Sequence, residues 1–84
     1  MSYNVGIARS AQRDFAGLPP HIQPRIFDAI NSLGRDPRPP GCRKLTGRPG
    51  WRIRVGDYRV IYDIDDAAGV VTVIEIGHRG DIYR

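Results

Sequence analysis

Residues 51–62 read Trp51-Arg52-Ile53-Arg54-Val55-Gly56-Asp57-Tyr58-Arg59-Val60-Ile61-Tyr62. Charged and apolar residues alternate around a Gly-Asp pair, which is the pattern of a β-hairpin with a two-residue loop. With that loop, Val55 pairs with Tyr58, and Arg54 lies directly opposite Arg59. The apolar residues of the first strand then point to one face of the sheet. Arg52, Arg54 and Arg59 point to the other face, because side chains alternate along a strand.

The opposed arginines indicate a face that binds an anionic partner. Like charges directly opposite each other destabilise a sheet, so we expect the pair to be kept for a function such as binding negative charge. The formal net charge is +4, and residues 43–59 hold six basic residues against one acidic residue. This concentration predicts contact with a nucleic acid, or with an acidic protein that competes for the same surface. From charge alone, a solvated basic surface remains the alternative.

Length and composition predict one small domain spanning residues 1–84. The single cysteine, Cys42, excludes a disulfide framework and a multi-cysteine zinc site within the chain. Neither a signal-like start nor an apolar run of membrane-spanning length occurs, so we expect a cytoplasmic protein that makes no membrane contact. Asp63, Asp65 and Asp66 read as a solvated acidic turn, and no metal or cofactor is expected.

The remaining pattern predicts an α+β fold with the order β-α-α-β-β-β-β. A first strand occupies residues 3–7, and Ser10 is predicted to cap a short helix. A second helix reaches Leu33, with Gly34 at its C-terminal cap. Pro20 suits its first turn, and Pro24 is tolerated only close to the start, which leaves the first residue of this helix open. A short strand over residues 43–45 precedes the hairpin, and a last strand covers residues 70–76. The two helices are expected to pack on one face of a small, mostly antiparallel sheet.

The pairing of the last strand with the hairpin is predicted from burial. We expect Arg59 to lie opposite Glu75, with Val70, Thr72, Ile74 and Ile76 facing the helices. A slip of one residue would bury Glu75 in the core, which costs desolvation energy. The last strand is apolar on both faces for most of its length, so it is expected to be central in the sheet.

Nearly the whole chain resembles the RelE/ParE superfamily of type II toxin–antitoxin toxins, and the RelE branch most closely. The resemblance is carried by Lys44-Leu45 before a Gly-rich turn, by the hairpin of residues 51–62, and by Ile76-Gly77-His78-Arg79-Gly80-Asp81-Ile82-Tyr83-Arg84. It implies a RelE-like fold and a ribosome-dependent, metal-independent endoribonuclease that cleaves mRNA in the ribosomal A site. Cleavage would proceed by attack of the 2′-hydroxyl on the neighbouring phosphorus.

The resemblance also implies an active surface. Its catalytic residues would be Arg52, Arg54, Arg59, Arg79 and Tyr83. Guanidinium groups bind phosphate oxygens in pairs, and a terminal tyrosine can stack on a splayed base. The basic residues that precede the hairpin are predicted to bind RNA around this surface, namely Arg43, Lys44 and Arg48.

One departure from RelE concerns the proton acceptor. RelE has lysines at the positions of Arg52 and Arg54, and arginine is a poor general base. His78 is the favoured base because histidine titrates near neutral pH. Tyr83, Asp81 and Lys44 are the alternatives. Structural roles are also open: Arg59 as the partner of Glu75, His78 as an exposed loop residue, and Tyr83 as a packing aromatic.

The resemblance further implies a set of partners. A cognate antitoxin, acidic and apolar and partly disordered when free, is expected to cover or displace the surface of Arg52, Arg54, Arg59 and Arg79. Ribosome and mRNA are the expected targets, and operator DNA is contacted only through the antitoxin complex. Two alternatives remain open, a ParE-like poison of DNA gyrase and a catalytically weak module that acts with its antitoxin as a co-repressor.

Overall fold

The predicted order of helices and strands is confirmed. The structure is a computed structural model that describes residues 2–78. Its elements are β1 (Asn4–Ile7), α1 (Arg9–Ala16), α2 (Gln23–Ser32), β2 (Arg43–Lys44), β3 (Trp51–Val55), β4 (Tyr58–Asp65) and β5 (Val70–His78). Neither α1 nor α2 is long and apolar enough to cross a membrane.

The five strands form one sheet in the order β1-β5-β4-β3-β2. β1 runs parallel to β5, and the other three neighbouring pairs are antiparallel. β5 lies between β1 and β4, as its apolar residues on both faces predicted. α1 packs against β5 and α2 against β3. We call the sheet face that carries the helices the inner face, and the opposite one the outer face.

The hydrophobic core lies between the helices and the inner face. Its buried members are Ala11, Leu18, Ile26, Ile30, Leu33, Ile53, Val60, Tyr62, Val71, Val73 and Ile76. Tyr62 is fully buried, and its hydroxyl donates a hydrogen bond of 2.7 Å to the carbonyl of Pro37. Burial raises the pKa of Tyr62 above its ordinary value. This hydrogen bond ties the proline-rich loop after α2 to the sheet.

The starts of both helices differ from the prediction. α1 begins at Arg9, and Ser10 lies inside its first turn, where its hydroxyl donates to the carbonyl of Ile74 instead of capping the helix. α2 begins only at Gln23, so Pro24, and not Pro20, occupies the first turn. That turn tolerates proline because its N–H groups have no partner within the helix.

Gly34 follows α2 at a close approach to β1. Its carbonyl accepts a 2.7 Å hydrogen bond from the N–H of Tyr3. A Cβ atom on Gly34 would lie 3.1 Å from the carbonyl oxygen of Tyr3 and 3.2 Å from Val5 Cγ2. This close approach favours glycine at position 34, because a Cβ atom there would have to displace β1 slightly.

The predicted register is wrong by two residues in the second half of β5. Arg59 pairs with Gly77, and Glu75 pairs with Ile61. A shift of two residues leaves the side chains of this half on their faces, so Glu75 stays on the outer face as expected. The alternation within β4 and β5 cannot distinguish these two registers.

A β-bulge in β5 reverses which side chains of its first half face the core, compared with the prediction. Tyr62 pairs with Val73 although Ile61 pairs with Glu75, so Ile74 is an extra residue. Val71 and Val73 therefore face the core, where the prediction had placed Val70, Thr72 and Ile74. Of the four β5 residues predicted to face the helices, only Ile76 belongs to the buried core.

Two side chains of α1 hold the bulge. The hydroxyl of Ser10 donates to the carbonyl of Ile74 over 2.8 Å, and the N–H of Ile76 donates to Asp14 Oδ2 over 3.0 Å. β1 is paired with β5 only as far as Val73. Beyond that point, α1 supplies partners that a neighbouring strand would otherwise provide.

Candidate nucleic-acid interface

The hairpin that presents the arginines forms as predicted. Val55 pairs with Tyr58 and Arg54 with Arg59 across the two-residue loop. Gly56 has φ +59°, a left-handed conformation that favours glycine and suits a tight hairpin turn. The turn thus fixes the register that brings Arg54 and Arg59 face to face.

A first row of side chains crosses the outer face through four strands. Arg43 on β2 pairs with Arg52 on β3, Arg52 pairs with Ile61 on β4, and Ile61 pairs with Glu75 on β5. Arg43 and Arg52 are therefore a second pair of like charges placed directly opposite each other. The sequence pattern did not reveal this pair, because β2 is too short to show an alternation of its own.

A second row lies one repeat further along the strands. It consists of Arg54 on β3, Arg59 on β4 and Gly77 on β5. Gly77 contributes no side chain to this row. We call the surface formed by Arg43, Arg52, Arg54 and Arg59 the arginine face.

The four arginines differ in exposure. Arg43 and Arg54 are exposed, Arg52 is half-buried, and Arg59 is only 8% exposed. Arg59 therefore lies on the predicted face but is almost completely covered. Arginine stays charged when buried, and a charge at the edge of a low-dielectric interior acts more strongly than one in water. Burial also limits the rotamers of Arg59, so its charge is held at a defined position.

Glu75 pairs with an arginine other than the predicted one. Arg48 Nη2 lies 3.2 Å from Glu75 Oε1. Arg48 belongs to the loop between β2 and β3, which is closed by a 3.0 Å hydrogen bond from the N–H of Leu45 to the carbonyl of Gly50. Gly47 and Gly50 both have positive φ, which lets this loop turn sharply. The ion pair joins the loop to the far strand across the first row.

A pocket of about 570 Å³ lies between this loop and the first row. Its basic lining residues are Arg43, Lys44, Arg48 and Arg52, and its other lining residues are Leu45, Thr46 and Ile61. Ile61 faces outward but is only 1% exposed. The pocket therefore combines cationic walls with an apolar floor, a feature that composition alone did not predict.

Lys44 is exposed and also contacts an aromatic ring of β3. It pairs with Trp51 in the sheet, which is the inner-face position of β2. Its ammonium lies 5.7 Å from the Trp51 ring centroid, and the guanidinium of Arg38 lies 5.0 Å from the same ring. Contacts of this geometry are cation–π interactions. Lys44 therefore contributes to holding Trp51, and not only to the basic surface.

His78 lies on the side of the sheet opposite the arginine face. It pairs with Tyr58, whose side chain points inward, and the two rings meet edge to face at 5.5 Å between centroids. His78 is exposed at the end of β5. The structure therefore does not bring it onto the same face as Arg52 and Arg54. Arg79, Asp81 and Tyr83 lie outside the described residues.

The acidic turn after β4 is held by one local hydrogen bond and by contacts with two distant residues. Asp65 Oδ1 accepts from the N–H of Ala68, and Asp66 accepts from the guanidinium of Arg38 and from the hydroxyl of Tyr3. The hydrogen bonds from Arg38 and then Tyr3 hold the pKa of Asp66 below its usual value. Within residues 2–78, no three His, Cys, Asp or Glu side chains are grouped for a metal ion.

Comparisons with known proteins identify a family and relatives of the chain. Residues 5–83 match the family described as the ParE toxin of the type II toxin–antitoxin system parDE. Toxin RelG of Mycobacterium tuberculosis is 38% identical over 88 residues, covering 100% of this chain and 99% of that toxin.

Among the solved structures that share the fold are two toxin–antitoxin complexes. The toxin–antitoxin complex RelBE2 of Mycobacterium tuberculosis matches with a TM-score of 0.83 and 30% identity, covering 94% of this chain and 100% of that one. The archaeal RelE–RelB complex of Pyrococcus horikoshii OT3 matches with a TM-score of 0.83 and 29% identity, covering 96% of this chain and 99% of that one.

Proposed function

The chain belongs to the ParE toxin family of type II toxin–antitoxin systems, and from this membership we propose that it is a RelE-like endoribonuclease that cleaves mRNA in the ribosomal A site. Relatives named toxin RelG and toxin RelE support this activity over others in the family. The proposal treats the arginine face as the active surface.

The observation that carries the proposal is the double set of opposed arginines. Arg43 faces Arg52 and Arg54 faces Arg59 on the same side of the sheet. Like charges directly opposite each other disfavour a sheet, and bound phosphates would relieve the repulsion between Arg43 and Arg52. Phosphate groups along an RNA strand supply the repeated negative charge that such a surface requires.

The proposed reaction is an internal transfer at phosphorus. The 2′-oxygen forms a bond to the adjacent phosphorus and gives its proton to a base, while the bond from phosphorus to the 5′-oxygen breaks and that oxygen takes up a proton. Arg52 and Arg54 would bind the phosphate oxygens, and the buried Arg59 would stabilise the negative charge that develops on them. Arg79 and Tyr83 are proposed to complete the site, as the family resemblance implies.

His78 is proposed as the proton acceptor. Because it lies on the Tyr58 side at the end of β5, it would reach the reacting hydroxyl around the end of the strand. A general base has to come within hydrogen-bond distance of the proton it removes. RNA bound to this site would therefore have to pass the end of β5 as well as the arginine face.

A cognate antitoxin is the proposed inhibitor. The neighbouring structures of Mycobacterium tuberculosis and Pyrococcus horikoshii are described as toxin–antitoxin complexes. We expect an acidic and apolar antitoxin segment to cover the arginine face, and operator DNA to be reached only through the complex. Crosslinks from the antitoxin found only on α1, with none on β3 or β4, would contradict this arrangement.

Primer extension on a reporter mRNA tests the activity. The wild type, Arg54→Gln and Arg9→Gln are compared in a purified translation system, and also on the same RNA without ribosomes. Arg9 is a matched control because it is an exposed arginine at the start of α1, on the other side of the sheet. We expect A-site cleavage by the wild type and Arg9→Gln, and a loss of roughly 10²-fold or more for Arg54→Gln.

Absence of cleavage by the wild type under both conditions would reject the nuclease. The match to a family described by its ParE toxin makes inhibition of DNA gyrase the second candidate. A supercoiling assay with the same protein preparations would test it. Inactivity in both assays would leave the antitoxin-dependent co-repressor.

A further inference from the structure

The pocket beside the arginine face differs from a simple phosphate site. A phosphate needs only cations and N–H donors, yet this pocket has a floor of Ile61 and Leu45 beneath its basic walls. At about 570 Å³ it is also far larger than one anion and has the size typical of small-molecule pockets. An occupant that fits both features is planar and apolar on its faces and is attached to negative charge.

A nucleobase within an RNA strand has this character. Its faces stack on aliphatic side chains and on guanidinium planes, and its two flanking phosphates attract the surrounding cations. Arg52 belongs to both the pocket and the first row of the arginine face. A phosphate bound at Arg52 would therefore bring the attached nucleotide to the pocket entrance.

The ion pair of Arg48 and Glu75 supports a base over a bare phosphate. A carboxylate next to the pocket repels phosphate, but it accepts hydrogen bonds from the amino and imino groups of a base edge. Arg48 donates to base oxygens and ring nitrogens. The two groups lie 3.2 Å apart, so a base edge that offers donors and acceptors together finds a partner for each.

We propose that this pocket is a nucleobase subsite, which holds one unstacked base of the RNA strand whose phosphates bind the arginine face. The inference rests on RNA being the substrate under the proposed function, but it concerns binding and not cleavage. It assigns Leu45, Ile61 and the Arg48–Glu75 pair to recognition of the base.

The methyl groups of isoleucine provide a direct test. The Ile61 methyl signal reports on the pocket floor, and that of Ile26, buried in the core, is the internal control. The protein is titrated with a hexanucleotide of 2′-O-methylribonucleotides, which cannot be cleaved, and with an abasic strand of the same length. A hexaglutamate peptide is the third probe.

We expect the base-containing strand to shift the Ile61 methyl signal saturably. The abasic strand should shift the side-chain N–H of Arg54 and leave Ile61 in place. Equal shifts of Ile61 by both strands, or no shift with the base-containing strand, would overturn the subsite. A saturable shift of Ile61 by the peptide and not by RNA would overturn it too, and would indicate an acidic protein segment as the occupant.

Truncation of the pocket floor gives an independent readout. Leu45→Ala removes apolar surface at a half-buried loop position, and Leu45→Met keeps the volume as the matched control. Loss of contact with one or two CH₂ groups corresponds to a factor of about 4 to 15 in affinity. We expect Leu45→Ala to lose that factor for the base-containing strand and to bind the abasic strand as the wild type does.

The two proposals fail separately. Wild-type RNA affinity in Leu45→Ala would overturn the base subsite while cleavage by the wild type still stood. Saturable, base-dependent shifts of Ile61 in a protein that cleaves no mRNA would support the subsite and reject the nuclease.

Discussion

Removing the charge of Arg43 should make the free protein more stable and its binding to RNA weaker. Arg43 and Arg52 lie directly opposite each other across β2 and β3. At a separation of about 7 Å and an effective dielectric constant of about 40 to 80, Coulomb's law gives two unit charges a repulsion of roughly 0.6–1.2 kcal/mol. This agrees with the size of cross-strand pair effects in sheets, about 0.2–1 kcal/mol.

Arg43→Gln tests this reasoning, and Arg43→Lys is the control that keeps the charge. In a domain of 84 residues, a gain of about 0.5–1 kcal/mol corresponds to a rise in melting temperature of roughly 2–8 °C. We expect this rise for Arg43→Gln at low ionic strength, measured by thermal denaturation followed by circular dichroism. In 1 M salt the Debye length is about 3 Å, so the difference between the two variants should disappear.

The same pair of variants is then titrated with single-stranded RNA over a range of salt concentrations. Loss of one phosphate contact should reduce the slope of log affinity against log salt by about 0.7 for Arg43→Gln. An unchanged or lower melting temperature for Arg43→Gln at low salt would refute the reasoning. A stability gain that persists at 1 M salt would refute it as well, because repulsion between charges would then not be the cause.

Three further predictions concern the contacts that position the site. Tyr62→Phe leaves the Pro37 carbonyl without its donor and should lower the free energy of unfolding by about 1–3 kcal/mol in urea denaturation. Because burial raises the pKa of Tyr62, the wild type should lose stability as the pH rises above about 10, where the unfolded tyrosine ionises, and the variant should lose less. Gly34→Ala places a Cβ atom 3.1 Å from the carbonyl oxygen of Tyr3, just before β1. We expect the free energy of unfolding, measured by thermal denaturation, to fall by about 1–3 kcal/mol. An unchanged melting temperature would show that β1 moves freely. Hydrogen bonds from Arg38 and Tyr3 lower the pKa of Asp66. The stability of the wild type should therefore fall as the pH drops below about 4 and through the pKa of the folded protein. In unfolding measured against pH, the stability of Asp66→Asn should decrease less over this range.

Local patterns were enough to predict the hairpin and the two helices. The Gly56-Asp57 loop and the alternation of residues 51–62 determine the pairing of Arg54 with Arg59, because a two-residue loop permits one register. The apolar period of α2 likewise predicted its buried face, and the two-sided apolar character of β5 predicted its place between two strands. These features depend on residues that are close together in the chain.

The tertiary structure decided how β5 meets the hairpin. An alternating strand fits its neighbour equally well after a shift of two residues, so the sequence did not distinguish Glu75 from Gly77 as the partner of Arg59. The bulge at Ile74 depends on Ser10 and Asp14, which lie 64 and 62 residues away from their partners along the chain.

Those long-range contacts determine the chemistry of the candidate site. They leave Glu75 to pair with Arg48 across the pocket and turn His78 toward Tyr58, away from the arginine face. By itself, the sequence determined which residue types are available and how neighbours alternate. The packing of α1 against β5 decided which charged side chains lie next to each other. Several registers of β5 are equivalent locally, and only contacts between distant elements select one of them.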